Sequence, residues 1–381
     1  MAATNRLLGA ALALPGVMVA APSHAEAPPA DGLIGLRYMY YEDYQHSFDR
    51  IKVNSPSLYL LAPIGQWSLE STLVHDSISG ASPRYHTAVS GASKMDDKRN
   101  AGDASVSRYF SRGSITLGGA YSNEHDYTSR SGNVRGRLST EDNNTTLNLG
   151  YAHTADTIND VDGLIQSMND GKAEKRKTNE YLVGVTQVLS RNDIVQITGT
   201  YSDGKGYYSD PYKSPDNRPR DRQGKAGSVR WNHHFDAFDA TLRMNYRYYT
   251  DNWDLSSNTL GLEWVQELPW GITVVPSVRY YSQSSADFYY DPVYDSVLGA
   301  PFPPAFNTPA GPRYYSPDQR LSAFGAVTGG IKIIKDFGPV SIDIKGEYYE
   351  QRGSWRLGKN GSPDLDPFRA QSYQAGVTTK F

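Results

Sequence analysis

The stretch QSYQAGVTTKF (371–381) separates into two sets when it is read in steps of two. Tyr373, Ala375, Val377, Thr379 and Phe381 fall together, and Ser372, Gln374, Gly376, Thr378 and Lys380 fall between them. One face is apolar and the other wet, and a period of two belongs to a strand. ATLRMNYRYY (240–249) repeats the pattern, with Ala240, Leu242, Met244, Tyr246 and Tyr248 set against Thr241, Arg243, Asn245, Arg247 and Tyr249. In VSIDIKGEYY (340–349), Val340, Ile342, Ile344, Gly346 and Tyr348 oppose Ser341, Asp343, Lys345, Glu347 and Tyr349. A helix would mix these sets.

About sixteen such runs follow one another from 33–44 to 370–381, an even number as bacterial membrane barrels have. Every second connection is tight (API, SR, TEDNN, SRN, DAF, PWG, KDFG), and those between are mostly longer: 42–50, 77–99, 155–177, 205–224 and 284–318. The expected fold is all-β: a transmembrane up-and-down antiparallel barrel over 32–381, with short periplasmic turns and long extracellular loops. Residues 99–111 and 177–190 support either face. The run 51–61 changes parity near Pro56, where a bulge is expected.

The aromatic residues offer a second test. Tyr121, Tyr151, Tyr248, Tyr280 and Tyr348 stand at the ends of strands running one way, and Trp67, Phe110, Phe238, Trp270 and Phe337 flank the short turns. Trp270 to Tyr280 is ten residues; on strands tilted near 45° that places two belts roughly 23 Å apart, close to the apolar band of a membrane barrel. A soluble sandwich or propeller has no reason for two aromatic rows at this spacing.

Composition narrows the partners. The chain has 28 Tyr against 11 Phe and 6 Trp, a bias toward the aromatic that suits an oil–water boundary. It has no Cys, so disulfides, thiolate metal sites and cysteine nucleophiles are excluded. The formal charge of -3, without a basic stripe, argues against a nucleic-acid partner. The beginning, MAATNRLLGAALALPGVMVAAPSHA (1–25), has one Arg, an apolar run broken by Pro15 and Gly16, and small residues before a cleavage point. It is expected to be a signal peptide, too short to span a bilayer, followed by a short periplasmic segment (26–31). The last strand, with Tyr373 and a final Phe381, resembles the insertion signal of proteins handled by the barrel assembly machinery, so that machinery and outer-membrane lipid are expected partners.

Signatures of chemistry are sparse. GASPR (80–84) and GASKM (91–95) lack the second Gly of a nucleophile elbow. His75 and His86 flank that loop, and His233 and His234, adjacent in a strand, point to opposite faces and cannot share one ion. TINDVDG (157–163) carries Ile158 where a calcium loop needs its first carboxylate. No cofactor, metal site or catalytic residue is assigned, and the protein is not expected to be an enzyme. The alternative is an outer-membrane hydrolase with Ser82, His75 and His86 at the extracellular rim. The polar faces are richer: Arg243, Arg247, Glu263, Arg279, Asp343, Lys345 and Glu347 would each cost about 2–4 kcal/mol on the lipid face, so they should line the lumen. Mixed signs there fit either a solute path with a transverse field or ion pairs closing a structural core. Two Pro- and Tyr-rich loops, DPYKSPDNRPRDR (210–222) and DFYYDPVYDSVLGAPFPPAFNTPAGPRYY (287–315), should pack on each other or fold inward.

The stretches DSISGASPRYH, EDNNTT, KTNEYLVGVTQVLS, DPYKSPDNRPRDR, RWNHHF, SADFYYDPVYD, LGAPFPP, DQRLSAFGAV and YEQRGSWRL resemble those of a proteobacterial family of outer-membrane barrels classed as a domain of unknown function. The resemblance spans nearly all of 32–381. It implies genes beside those for a small lipoprotein, a thioredoxin-like protein and a flavin transferase. Hence it implies a barrel serving an envelope redox or cofactor system, with a small periplasmic lipoprotein or a flavinylated or redox partner. It supplies no catalytic residues. The expected function is a pore, or a scaffold or sheath around such a partner.

Overall fold

The computed structural model describes residues 27–45, 48–81, 94–159, 172–210, 215–291, 303, 309, 311–358, 360–363 and 365–381. Among them sixteen strands run in chain order: β1 (Leu33–Gln45), β2 (Phe48–Ile64), β3 (Trp67–Ala81), β4 (Lys94–Phe110), β5 (Gly113–Asn123), β6 (Tyr127–Ser139), β7 (Thr145–Ile158) and β8 (Glu174–Val188). The second half is β9 (Asp193–Gly206), β10 (Asp221–Phe235), β11 (Ala240–Asp251), β12 (Ser256–Leu268), β13 (Ile272–Gln283), β14 (Phe324–Asp336), β15 (Val340–Arg352) and β16 (Phe368–Lys380). Each pairs antiparallel with its chain neighbours, and β1 pairs with β16 from Leu33↔Lys380 to Gln45↔Phe368, closing the barrel. Gly32 and Phe381 add reciprocal backbone hydrogen bonds of 3.0 Å. Closure removes the edge, which in hydrocarbon would leave backbone groups unsatisfied at several kcal/mol each.

Pairing fixes which residues share a face. Leu36↔Leu58, Val106↔Leu117, Val134↔Tyr151, Val229↔Tyr246 and Ile342↔Val377 are register partners, and all of them are exposed on the barrel's outer wall. This inverts a water-soluble protein, where such residues form the core. The outside is the apolar face and the polar residues look inward.

The bulge expected near Pro56 is not there. Pairing of β2 with β3 lapses at Ser55 and Pro56 and resumes with its register unchanged, because proline lacks one ladder donor. The shift lies between Asp43 and Tyr44, which pair with Ile51 and Asp49 and leave Arg50 as the extra residue. The change of parity has another cause. Ile51 and Val53 face inward and are buried with Tyr41 beside them, whereas Leu58 faces outward.

The two ends differ. At one, strands are joined by 65–66, 111–112, 140–144, 189–192, 236–239, 269–271 and 337–339. In the 140–144 turn Asp142 accepts from Thr140 Oγ1 (2.5 Å) and Asn144 N (3.1 Å), with Asn143 at φ 56°. These bonds hold the Asp142 carboxyl below the usual carboxylate range. At the other end the connections are 46–47, 82–93, 124–126, 159–173, 207–220, 252–255, 284–323 and 353–367. Some expected loops are shorter: β1 and β2 leave only 46–47 of the expected 42–50, and β3 and β4 extend into the expected 77–99. The strand expected to start at 319 starts at Phe324, after a 3-10 turn over Gln319–Leu321 that is capped by Asp318.

Candidate functional site

The strand register places Arg243 and Arg247 (β11), Glu263 (β12), Arg279 (β13) and Asp343, Lys345 and Glu347 (β15) on the inner wall, out of step with Leu260, Val278, Ile342 and Ile344 outside. They divide into two kinds. On the β14–β1 side they are paired: Asp343 accepts from Arg37 Nη2 at 3.0 and 3.3 Å and lies 3.7 Å from Lys332 Nζ, and Lys345 reaches Glu347 at 2.8 Å. Arg37 is on β1 and Asp343 on β15, so the pair must cross β16. It crosses at Gly376, where a Cβ would stand 2.9 Å from Asp343 Oδ1 and 3.2 Å from Arg37 Nε. That glycine is an opening for an ion pair.

On the β10–β13 side the charges are open. Arg230 (β10), Asn245 (β11), Gly261 (β12) and Arg279 (β13) occupy one ladder row; Arg247 stands one inward position above and Arg243 one below. Arg243 lies 3.9 Å from Glu263. Arg230, Arg247 and Arg279 are exposed and have no ion-pair partner among the described residues. Arg247 and Arg279 rest instead over the rings of Tyr249 and Tyr281, at 5.1 and 5.8 Å. Eight strands away round the ring of sixteen, Glu70 (β3) and Asp103 (β4) are exposed on the inner wall, with Tyr59 donating to Glu70 at 3.1 Å. Between these walls Arg135 and Arg137 (β6) and Glu180 (β8) also face inward. The inner face of β4–β6 is built from small residues: Ser105, Ser107, Thr116, Gly118, Ala120, Ser122, Ser129 and Ser131. They leave a recess of about 170 Å³ beside Thr72, Arg99 and Asp103.

Toward the long-loop end buried or half-buried Arg–Asp pairs tie neighbouring strands: Arg99 to Asp76 (Nε, 2.5 Å), Arg176 to Asp156 (2.8 Å) and Arg222 to Asp251 (2.8 Å). Above them the loops fold together. Trp253, Leu255, Ala286, Phe288 and Leu321 form a buried core, with Tyr208, Tyr249, Tyr289 and Tyr314 packed on it. Trp253, 1% exposed, meets Tyr208 and Phe288 edge-on at 5.3 and 5.2 Å and lies under the Arg222 guanidinium at 4.3 Å. Arg222 and Tyr249 are inward residues, so this core seats on the lumen side of the wall. The two Pro- and Tyr-rich loops pack on each other: Asn217 pairs with Tyr315, and Arg218 joins Asp216 and Asp318 while Arg320 joins Asp210 and Asp318, all buried or nearly so. Burial lifts the Asp216 carboxyl above its ordinary value and pushes the Tyr207 phenol up to about 12. A second buried cluster, Phe324, Ala326 and Leu365 with Tyr281 and Tyr349, brings the 353–367 connection against the inner wall.

The aromatic rows also have definite positions. Tyr121, Tyr151, Tyr248 and Tyr348 are exposed on the outer wall and Tyr280 shares that face, its hydroxyl donating to Trp355 O at 2.6 Å. Their neighbours Tyr249, Tyr281 and Tyr349 turn inward and are partly covered. Trp67, Phe110, Phe238, Trp270 and Phe337 are exposed at the short-turn end, with Arg108 over Trp67 at 4.9 Å. Tyr373 and Phe381 are exposed on the same outer wall. Sequence reasoning missed Tyr181 and Tyr201, which extend the row from Tyr151 with ring separations of 5.3 and 6.2 Å. It also missed Arg230 on β10 and Arg37 on β1.

Of the alternative hydrolase residues, His75 faces outward and its Nδ1 is 2.8 Å from Asn100 Oδ1; Ser82 and His86 lie outside the described residues. His233 meets Asp193 at 2.8 Å on the outer face and His234 meets Thr241 at 3.1 Å on the inner one. No group of three His, Asp or Glu placed to hold a metal occurs among the described residues.

A family model described as "Protein of unknown function (DUF3570)" matches residues 86–368, from the β3–β4 connection to the start of β16. The chain belongs to the DUF3570 family. The family match therefore takes in the open arginine wall, the paired charges of β14 and β15 and both long loops. No curated protein is similar to the chain at a significant level. Solved structures similar to it include a bacterial polysaccharide outer-membrane secretin (8% identity, 91% of this chain and 98% of that one, TM-score 0.49). Others are the siderophore receptor PirA from Pseudomonas aeruginosa (9%, 93% and 81%, 0.44) and OccD3 (OpdP) from the same organism (10%, 94% and 94%, 0.45). These likenesses are of the barrel alone.

Proposed function

We propose that this chain is an outer-membrane pore for small polar solutes, drawn past the arginine wall of β10–β13, and that it works by passage and not by catalysis. One observation carries the reading. Inward-facing side chains in mid-barrel, among them Asp103, Arg230, Asn245, Arg247 and Arg279, are exposed to solvent although they look away from the outer surface. That exposure supports a water-filled interior, and sixteen strands give a lumen wide enough to hold a channel. The arginines opposite Glu70 and Asp103 set a transverse field, and their excess favours anionic or dipolar solutes. The loop core over one side narrows the mouth. In this reading residues 1–25 direct export, Tyr373 and Phe381 mark the last strand for insertion, and the short turns face the periplasm.

Planar-bilayer recording of the purified mature protein tests it. The pore reading expects ohmic steps, with a reversal potential toward chloride in a KCl gradient. A silent barrel that co-purifies with a lipoprotein or flavinylated partner would replace it with the sheath reading that the family resemblance implies.

A further inference from the structure

The tyrosine belt is level only because it slips against the strand register. Tyr248 pairs with Asn258, and Asn258 with Ser282, yet the belt residue on β13 is Tyr280; Tyr280 leads through Val327 to Glu350, yet on β15 it is Tyr348. Each two strands move the belt two residues toward the short-turn end, the stagger that tilted strands impose. The same rule run backward from Tyr248 reaches Tyr201 on β9, His153 on β7 and Tyr121 on β5.

This level line locates the outward cations. Arg130 (β6) and Lys225 (β10) fall at the belt or one residue beyond it, and Lys177 (β8) and Lys205 (β9) three and four residues beyond, roughly 8–10 Å further from the bilayer centre. All four are exposed and none has an ion-pair partner among the described residues. Asp203 and Asp221 share the arc and keep their charge, Asp221 as the register partner of Lys205, so the four cations outnumber these carboxylates by two. Across the barrel the corresponding cations are paired: Arg352 and Arg369 both reach Glu350, at 2.5 and 3.3 Å. Directly below the free cations lie the rings of Tyr151, Tyr181 and Tyr201 and then Val183, Val185 and Ile197, all exposed on the outer wall.

We propose that this arc of β6–β10 holds the phosphorylated headgroup of a membrane lipid in the leaflet at the long-loop end, with the phosphate on Arg130, Lys177, Lys205 and Lys225 and the acyl chains along Val183 and Ile197. The inference rests on the membrane-barrel reading and is independent of whether the lumen conducts. Free phosphate would meet the cations but leave the apolar strip below them uncovered, whereas a lipid meets both. Each basic side chain near an anionic surface is worth about a five-fold change in affinity.

The test is titration of the purified full chain in neutral detergent with diphosphoryl lipid A, read by native mass spectrometry. Lys177→Gln/Lys205→Gln/Lys225→Gln should weaken retention on the order of 100-fold, while Arg352→Gln changes it less than about two-fold. Raised salt should weaken wild-type retention, and inorganic phosphate should weaken it no more than chloride at the same ionic strength. Equal retention by wild type and triple variant overturns the site, and displacement by inorganic phosphate beyond that in chloride of equal ionic strength overturns the lipid as its occupant. Folding is checked by the compact migration of the unheated barrel. If the triple variant fails that check, Lys205→Gln alone should lower retention several-fold and Lys205→Arg should restore it, and an unchanged Lys205→Gln also overturns the site.

Discussion

Replacing Asp343 by Asn removes one charge and almost no volume from the inner wall. The carboxylate has two cations on it, Arg37 at 3.0 Å and Lys332 at 3.7 Å, and the Arg37 and Asp343 side chains are only 11% and 9% exposed. Without it, two positive groups are left facing each other across Gly376 with no counter-charge between them. Breaking a buried pair by removing one partner costs about 3–5 kcal/mol. In the pore reading the lumen beside this pair holds water, so about 3 kcal/mol is the expected loss. Equilibrium unfolding in urea from lipid vesicles, followed by tryptophan fluorescence, should show a lower midpoint with an unchanged slope. Arg37→Met/Asp343→Asn should recover most of the loss, because the stranded guanidinium is gone. A single variant destabilised by less than about 1 kcal/mol, or a double variant worse than either single one, would refute the assignment of this pair as a buried tie across β16.

Gly376→Val should destabilise by about 1–3 kcal/mol through overpacking against Asp343 and Arg37, in the same unfolding assay. Arg230→Gln/Arg247→Gln/Arg279→Gln should leave the fold intact and move the reversal potential in a KCl gradient toward potassium, which bilayer recording reads directly. Trp253→Ala deletes the centre of the loop core at a cost of about 3–5 kcal/mol to that unit, so protease should cut within 207–220 or 284–323 while the barrel stays whole. Asp216 has a folded-state pKa above its unfolded one, so its stabilisation is complete below the unfolded value and fades as pH rises through the folded one. Those loops should accordingly resist protease better near the unfolded carboxyl value of about 4 than at about pH 8, with the difference reduced in Asp216→Asn.

The barrel was legible because its selection rule is periodic: a strand between hydrocarbon and water must alternate, and 240–248 of β11, 340–348 of β15 and 373–380 of β16 do so without a break. What failed were the places where an inward residue is also apolar. Ile51 and Val53 pack inside against Tyr41, so the alternation over β2 reversed and pointed to a bulge that lies elsewhere. Strand ends were underestimated for a related reason. Lys98 and Arg99 fall in the expected loop 77–99, but they lie on β4, and Arg99 is charged there because it pairs with Asp76 on the neighbouring strand. Pairing of that kind is invisible along the chain. The same holds for the lumen: alternation put Arg243, Arg247, Arg279 and Asp343 on one type of face, but only the register separates the open arginines of β10–β13 from those locked into ion pairs. Arg230 joins them through its row partner Asn245 on the neighbouring strand. The packing of the two long loops was foreshadowed by their Tyr and Pro content, whereas the Arg218 and Arg320 links needed the fold.

The account stands on hydrocarbon outside and water inside, and the absence of native Cys makes that directly measurable. Single cysteines are introduced at register partners on β10 and β11, at Val229 and Tyr246 for the outer wall and at Arg230 and Asn245 for the inner wall, and the protein in lipid vesicles is treated with a small water-soluble maleimide. The account predicts rapid labelling of Arg230→Cys and Asn245→Cys and almost none of Val229→Cys and Tyr246→Cys. Labelling of all four at one rate would contradict it.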